Sequence, residues 1–201
     1  MLVNETGWEG RTTMALVAAV ARRLFTSDEY CRMGEAGILT DRDRVELNRG
    51  EIVCKMTPGP RHLAFVDNLT QLLVLRLAGR AIVSVQNAVV VSDDSVPEPD
   101  LKIIRRRSVP YKERQAHAED VLLLIEVADS SLAYDRSIKL ALYAEAGIAE
   151  YWIVNCPAES IEVYRRPEGS HYLDVQRVEG AATITLQAFP DVALTLAEIF
   201  A

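Results

Sequence analysis

The stretch Val121-Leu122-Leu123-Leu124-Ile125-Glu126-Val127 decides the fold of this chain. It has no polar residue before Glu126, and a strand that is buried on both faces has this composition. We therefore predict that it forms the centre of a sheet. An ionised carboxylate at the end of such a strand is costly to bury without a partner, so a cationic group is expected to meet Glu126.

Outward from this strand, periodicity and turn residues predict alternating helices and strands. A helix over residues 26–36, with Ser27 as N-cap and Gly37 as its end, precedes a hairpin that turns at 48–50. A second helix begins at His62 and stops at Gly79. The further elements predicted are strands over 81–91 and 101–104, a charged loop or small helix over 105–119, a helix over 134–145, and a strand over 150–155. An antiparallel meander over 161–165, 172–178 and 182–186 and a closing helix over 194–200 complete the chain. The fold class is mixed α/β, with helices flanking a central sheet.

The length and composition predict one globular domain. The chain has 201 residues, of which 49% are hydrophobic and 25% are charged, the balance of an ordinary soluble protein. No apolar run approaches the roughly 20 residues that span a bilayer. We expect residues 1–24 to form a poorly ordered extension and residues 25–201 to form a single domain. The apolar residues 14–21 precede Arg22 and Arg23, the reverse of the order in a secretory signal.

Cysteine spacing and net charge limit the classes of function. Cys31, Cys54 and Cys156 fit neither a disulfide framework nor a zinc spacing, which favours reduced thiols in a cytoplasmic protein. The net charge of -7 argues against a protein that coats nucleic acid nonspecifically. It leaves open an enzyme that approaches DNA with one local basic surface.

Three side chains combine into a candidate site. If the strands that carry Asp100 and Glu126 are neighbours, the two carboxylates converge on a hard cation such as Mg²⁺. Lys139, on the next helix, reaches the same place and could orient a water or help to deprotonate it. Each residue also has an ordinary interpretation: Asp100 as a turn residue, Glu126 as a carboxylate paired with a surface arginine, and Lys139 as a solvated lysine. The joint order of the three favours phosphodiester hydrolysis.

That order resembles the Uma-two family of proposed restriction endonucleases. The resemblance begins with residues 44–51, Met56 and His62 and continues through Pro99-Asp100 and residues 124–131. It then includes Asp135, Lys139, Tyr143, Gly147, residues 150–154 and the closing residues 194–200. It covers roughly residues 25–200, nearly the whole chain.

The resemblance implies a restriction-endonuclease-like, PD-(D/E)xK fold and roles for the matching positions. Mg²⁺ or Mn²⁺ would be held by Asp100, Glu126, Glu46 and the carbonyl of Val127. Ala128 stands where the plain superfamily motif has its lysine, so Lys139 would supply that group from the helix. His62 would be a polar neighbour that faces the substrate, and Tyr143 would touch phosphate or pack.

Partner predictions rest on one basic segment and one apolar segment. Arg105 and Arg106, with Arg107, Lys112 and Arg114 nearby, could hold a DNA backbone if their loop borders the site. A solvated loop is the alternative. The apolar segment 182–188 could support a homodimer.

These observations lead to three hypotheses. The first is a Mg²⁺-dependent DNA endonuclease. The second is a nuclease-like fold that binds or regulates without turnover, which Ala128 and the acidic balance favour. The third is a metal-dependent hydrolase of a small phosphorylated molecule.

Overall fold

The computed structural model describes residues 21–40 and 42–201. Its helices are α1 Ser27–Glu35, α2 Pro60–Leu77, α3 Leu132–Tyr134, α4 Leu140–Glu145 and α5 Leu196–Ile199. Its strands are β1 Val45–Asn48, β2 Glu51–Cys54, β3 Ala81–Val85, β4 Leu101–Arg105, β5 Val121–Ala128, β6 Glu150–Asn155, β7 Ser160–Glu168, β8 His171–Glu179, β9 Thr183–Leu186 and β10 Phe189–Thr195. Among these residues, no helix is long and apolar enough to cross a membrane. The predicted extension, residues 1–24, lies outside the described residues except for its last four.

A six-stranded mixed sheet organises the fold, in the order β3-β4-β5-β6-β7-β8. β5 and β6 run parallel, and every other neighbouring pair in this sheet is antiparallel. The stretch 121–127 forms β5, which is almost wholly buried. The predicted α/β class with a central sheet is confirmed.

Helices cover both faces of the sheet. On one face, the buried side of α2 packs with α5 and the β9–β10 hairpin, because its apolar residues recur at three- and four-residue spacings. On the other face, Leu142 and Tyr143 of α4 pack with Tyr151 of β6. β5 supplies core side chains to both clusters, as a strand with two buried faces does.

The predicted hairpin between residues 44 and 56 is present, and it brings Glu46 to the sheet. Arg49 and Gly50 have φ angles of 51° and 77°, the left-handed backbone that two-residue hairpin turns require. β1 pairs with Val96, whose N–H donates to the Leu47 carbonyl at 2.7 Å. This contact fixes the hairpin against the loop that leads to β4.

Three predicted boundaries on the N-terminal side were wrong. Thr26, not Ser27, caps α1, since its hydroxyl accepts from the N–H of Glu29 in a capping box. α2 begins at Pro60, before His62, because proline fits the first helical position. The strand predicted over 81–91 ends at Val85, since Gln86 has a φ of 47° that no regular strand accommodates.

Two predictions at the C-terminal end were also wrong. The segment predicted as the third meander strand, β9, pairs with β10 in a separate hairpin and not with β8. Its apolar residues Ile184 and Leu186 are buried in the core, so they are not the exposed side chains on which the homodimer prediction depended. The homodimer itself stays a prediction. The closing helix begins only at Leu196, where Thr195 caps it in a second capping box.

Candidate active site

Asp100 and Glu126 lie opposite each other on neighbouring strands. β4 pairs with β5 in a register that sets Leu101 against Ile125, and the same register continued by one residue sets Asp100 against Glu126. Both residues are buried, and both line a cleft of about 400 Å³. Asp100 Oδ2 accepts from the backbone N–H of Val127 at 2.9 Å. The two acids therefore share the floor of one cleft.

His62, in the first turn of α2, contacts two of the oxygens at this floor. Its Nε2 lies 3.1 Å from Asp100 Oδ1, and its Nδ1 lies 2.7 Å from the Val127 carbonyl oxygen. Burial alone would lower the pKa of His62, but its hydrogen bond to Asp100 and the charge of that residue hold it above the usual value. In turn, the pKa of Asp100, which burial alone would raise, is held below its usual value by His62.

Lys139 reaches the acids from a helix with an irregular middle. α3 continues into a π-helical turn, Asp135–Lys139, which runs directly into α4. Single π turns of this kind are frequent at functional sites. The Lys139 Nζ lies 2.8 Å from Glu126 Oε1 and 3.1 Å from Glu46 Oε2. The ammonium group thus stands beside Glu126 although residue 128 is a fully buried alanine.

Burial and neighbouring charges shift the pKa values of Lys139 and Glu126 in opposite directions. Burial alone would lower the pKa of Lys139, but the carboxylates of Glu126 and Glu46 hold it above its usual value. Burial raises the pKa of Glu126 well above its usual value, against the opposing effect of Lys139. The cationic partner expected for Glu126 is therefore Lys139.

Tyr143 is fully buried and is not among the residues that line the cleft. Its side chain is fully buried between α4 and the sheet, and its hydroxyl donates to Glu126 Oε1 at 2.7 Å. The structure favours the other interpretation of Tyr143, which is that its side chain packs in the core. Tyr143 holds the Glu126 carboxylate from the side opposite the solvent.

Glu46 joins the site through a polar network that sequence reasoning missed in part. Its Oε1 accepts from the Asn48 amide at 2.8 Å, and its Oε2 accepts from the backbone N–H of Glu98 at 3.0 Å. The Asn48 amide also donates to the Tyr134 hydroxyl. The two-residue spacing of Glu46 and Asn48 was a usable signal, since alternate residues of a strand share a face.

Arg105 and Arg106 lie away from the cleft. β4 carries Asp100 just before its first residue and Arg105 at its last, a separation of about 17 Å at roughly 3.3 Å per residue. The basic segment is also engaged internally: Arg106 donates to the Gly79 carbonyl, and Arg107 pairs with Asp120. Arg105 and Arg106 are therefore not among the residues that line the cleft.

The donor chemistry of the cleft suits a hard divalent cation. Within the described part of the chain, no three acidic, histidine or cysteine side chains are grouped closely enough to hold a metal ion. Lys139 lies between Glu126 and Glu46, and His62 contacts Asp100, so each offsets carboxylate charge. The oxygens themselves, two carboxylates and the Val127 carbonyl, are the ligand types that Mg²⁺ and Mn²⁺ prefer.

Comparison with known proteins identifies the family. The family model Uma2, described as "Putative restriction endonuclease", matches residues 27–197. The chain belongs to the Uma2 family. The family resemblance of the sequence is thereby confirmed.

The fold of this Uma2 chain is also found among solved structures. It is similar to the crystal structure described as "a putative nuclease belonging to DUF820" from Anabaena variabilis, with a TM-score of 0.69 and 16% sequence identity. The similarity covers 88% of the Uma2 chain and 97% of the other chain. At this identity, the similarity shows a shared fold. No curated protein matches the chain.

Proposed function

We propose that this Uma2 chain is a metal-dependent endonuclease that hydrolyses DNA phosphodiester bonds. The observation that carries the proposal is the pairing of Asp100 and Glu126 across β4 and β5, with the Lys139 ammonium 2.8 Å from Glu126. Two acids and a lysine at the floor of one cleft are suited to phosphoryl chemistry. The family description and the nuclease-like neighbour support the same class of activity.

Asp100, Glu126 and the Val127 carbonyl would hold Mg²⁺ or Mn²⁺, and Glu46 would complete the acidic set from β1. When bound, such an ion lowers the pKa of a coordinated water and offsets charge on a phosphoryl oxygen. Among the described residues, Lys139 and Tyr143 donate to the Glu126 carboxylate, and both donate to Oε1. Glu126 also lines the cleft. The other oxygen, Oε2, is thus the one proposed to be the ligand.

Lys139 would act as a cation and hydrogen-bond donor. Glu126 and Glu46 hold its pKa above the usual value, so it keeps its proton near neutral pH. A protonated lysine orients the attacking water and stabilises negative charge that develops at the phosphate. Of the two roles predicted for Lys139, its surroundings favour orientation over proton abstraction.

His62 and Tyr143 would position the ligand oxygens. The His62 ring contacts Asp100 Oδ1 and the Val127 carbonyl together, and Tyr143 fixes Glu126 Oε1. Groups that orient metal ligands in this way are commonly needed for full metal affinity.

The alternative, a binding or regulatory module without turnover, rested on Ala128 at the usual lysine position and on the acidic balance of the chain. Lys139 beside Glu126 supplies an ammonium group that does not depend on position 128. This observation favours an active enzyme.

The test is a calorimetric titration of Mn²⁺ and Mg²⁺ into the wild-type protein and the Asp100→Asn and Glu126→Gln variants. Asp191→Asn is the matched control, because Asp191 is an exposed acid of β10 that pairs with Arg80. We expect stoichiometric binding by the wild type and the control, and loss of binding in both site variants. With metal present, wild-type protein should cleave DNA and Asp100→Asn should not.

Other outcomes separate the hypotheses. Equal metal binding by the wild type and the two site variants would remove Asp100 and Glu126 as ligands. Metal binding without cleavage of any DNA form would favour the binding module. Hydrolysis of nucleotides or other small phosphate esters, with DNA left intact, would favour the small-molecule hydrolase.

A further inference from the structure

A second cavity adjoins the acidic cleft. It has a volume of about 750 Å³ and lies between α1, the β1–β2 hairpin and the loop after β3. The lining residues common to the two cavities are Arg44, Lys55, Pro58 and Gln86. Asp100, Glu126 and Lys139 line the first cavity and not the second. The two cavities therefore adjoin at these four residues, two of which are basic, and the acids lie on the side of the first cavity. The pair of adjoining cavities is called the groove, and the four shared residues are called its junction.

The junction carries two cations and a strained backbone. Arg44 is exposed, and its guanidinium donates to the Met56 carbonyl at 3.3 Å. Lys55 forms an ion pair with the Glu98 side chain at 2.5 Å and also donates to the Glu98 carbonyl at 3.0 Å. Lys55 lines both cavities, and Glu98 lines the second. Arg44 and Gln86 both have a φ of 47°, a left-handed conformation that is costly for residues other than glycine and is often kept at ligand sites.

Gln86 connects the junction to the acids. Its backbone N–H donates to the Asp100 carbonyl at 2.9 Å. The cationic junction therefore begins directly beside the acidic floor. Neighbouring phosphates of one nucleic-acid strand are the repeated anions that fit a site of this kind.

Two loops meet at the rim of the acidic cleft, since Met56 and Ser130 both line the cleft that holds Asp100 and Glu126. The Ser130 hydroxyl contacts the Met56 sulfur at 3.7 Å, and Arg61 lies 3.9 Å from Asp129. Met56 and Ser130 are exposed, whereas Asp100 is 8% and Glu126 only 4% exposed. A flexible single strand can bend a phosphate inward to carboxylates below this rim more readily than a stiff duplex can.

We propose that the groove binds single-stranded DNA, with Arg44 and Lys55 holding the phosphate next to the one that is cleaved. The proposal rests on the proposed nuclease function and names its substrate form. The strand runs from the acidic cleft, between the two cations, into the second cavity. Arg44 and Lys55 are positioning residues, since they contact a phosphate that does not react.

The first experiment measures binding in EDTA, where no cleavage occurs. A short labelled oligonucleotide and the duplex of the same sequence are titrated with full-length protein by fluorescence anisotropy, at salt concentrations between about 50 and 200 mM. We expect the single strand to bind at least about tenfold more tightly than the duplex. Arg44→Gln and Lys55→Gln should each weaken single-strand binding and reduce the slope of log affinity against log salt by about 0.7.

Arg166→Gln is the matched control, because Arg166 is also an exposed arginine with a positive φ, of 60°. It lies near the end of β7, three strands away in the sheet from β4, which follows Asp100, so its substitution should leave the slope unchanged. A merely structural role for Lys55 would weaken binding without altering the slope.

The proposal fails if the duplex binds as tightly as the single strand, or if the Arg44→Gln and Lys55→Gln slopes match that of Arg166→Gln. This failure is distinct from failure of the nuclease function. Loss of the metal site would appear in the calorimetric titration and would leave the EDTA measurement intact. Preferential cleavage of duplex DNA with metal would overturn the substrate form while supporting the nuclease.

Discussion

Lys139 is a buried cation held between two buried carboxylates. Glu126 and Glu46 lie 2.8 and 3.1 Å from its ammonium, and all three residues are at most 4% exposed. Removing one member of a buried ion pair leaves an uncompensated charge, whereas replacing both members by neutral groups is far less costly. The cluster is therefore expected to be strongly coupled.

Lys139→Met should destabilise the protein by about 3 kcal/mol, because the Glu126 and Glu46 carboxylates lose their shared cation. Urea unfolding at neutral pH measures this loss. Cleavage should also fall below detection, since Lys139 is proposed to orient the attacking water.

The double variant Lys139→Met/Glu126→Gln is the control for charge. It should recover more than half of the lost stability, because only Glu46 then remains charged, and it keeps its bonds to Asn48 and Glu98. Its catalytic activity should stay absent. A loss of stability equal to the sum of the two single variants would show that the residues are not coupled.

The β1–β2 hairpin is the element that brings Glu46 to the acids, and its geometry depends on one glycine. Gly50 has a φ of 77°, and a Cβ atom placed there would lie 2.6 Å from Leu24 Cβ and 3.2 Å from the Phe25 carbonyl. The Phe25 N–H donates to the Gly50 carbonyl at 2.9 Å. The turn is thus closely packed against the residues that lead into α1.

Gly50→Ala should lower the free energy of unfolding by at least about 2 kcal/mol, through left-handed strain and the contact with residues 24 and 25. Urea unfolding measures the change. Gly147→Ala is the matched control, because Gly147 has a φ of 72° with no atom within 4 Å of an added Cβ. The control should lose only about 1 kcal/mol. Equal losses in the two variants would mean that the packing around Gly50 contributes nothing.

At the scale of the whole molecule, we propose that residues 25–201 form a single folding unit. The described residues before Phe25 contribute two exposed ion pairs, Arg22 with Glu51 and Arg23 with Glu29. Exposed pairs of this kind contribute at most about 1 kcal/mol each. Among residues 21–40 and 42–201, the core clusters draw on elements from α2 to α5 and include none before Phe65.

A chain that begins at Phe25 should therefore unfold in one cooperative transition, within about 2 kcal/mol of the full chain. Metal affinity should be unchanged. Urea unfolding followed by both circular dichroism and tryptophan fluorescence tests the first point, and calorimetry tests the second. Separate transitions for the two probes, or loss of metal binding, would contradict the single unit.

Much of this architecture was predictable because the pattern of apolar residues within one segment indicates which of its faces is buried. The apolar run before Glu126 identified the central strand, and the spacing of apolar residues identified α2. Asn48 to Gly50 identified the hairpin turn. The errors fell where a partner distant in sequence decides the outcome. β9 looks like a meander strand, but its partner is β10.

The sequence by itself determined the fold class, the family and the residue types of the site, since periodicity and motif order are properties of the chain. Only the tertiary structure decided which of those residues meet. It set Asp100 against Glu126 through the β4–β5 register and brought Lys139 from the π turn. It also buried Tyr143 and placed Arg105 at the far end of β4. The physical reason is that strand register and helix rotation depend on contacts between segments far apart in the chain, and a one-residue shift in either moves a side chain to another face.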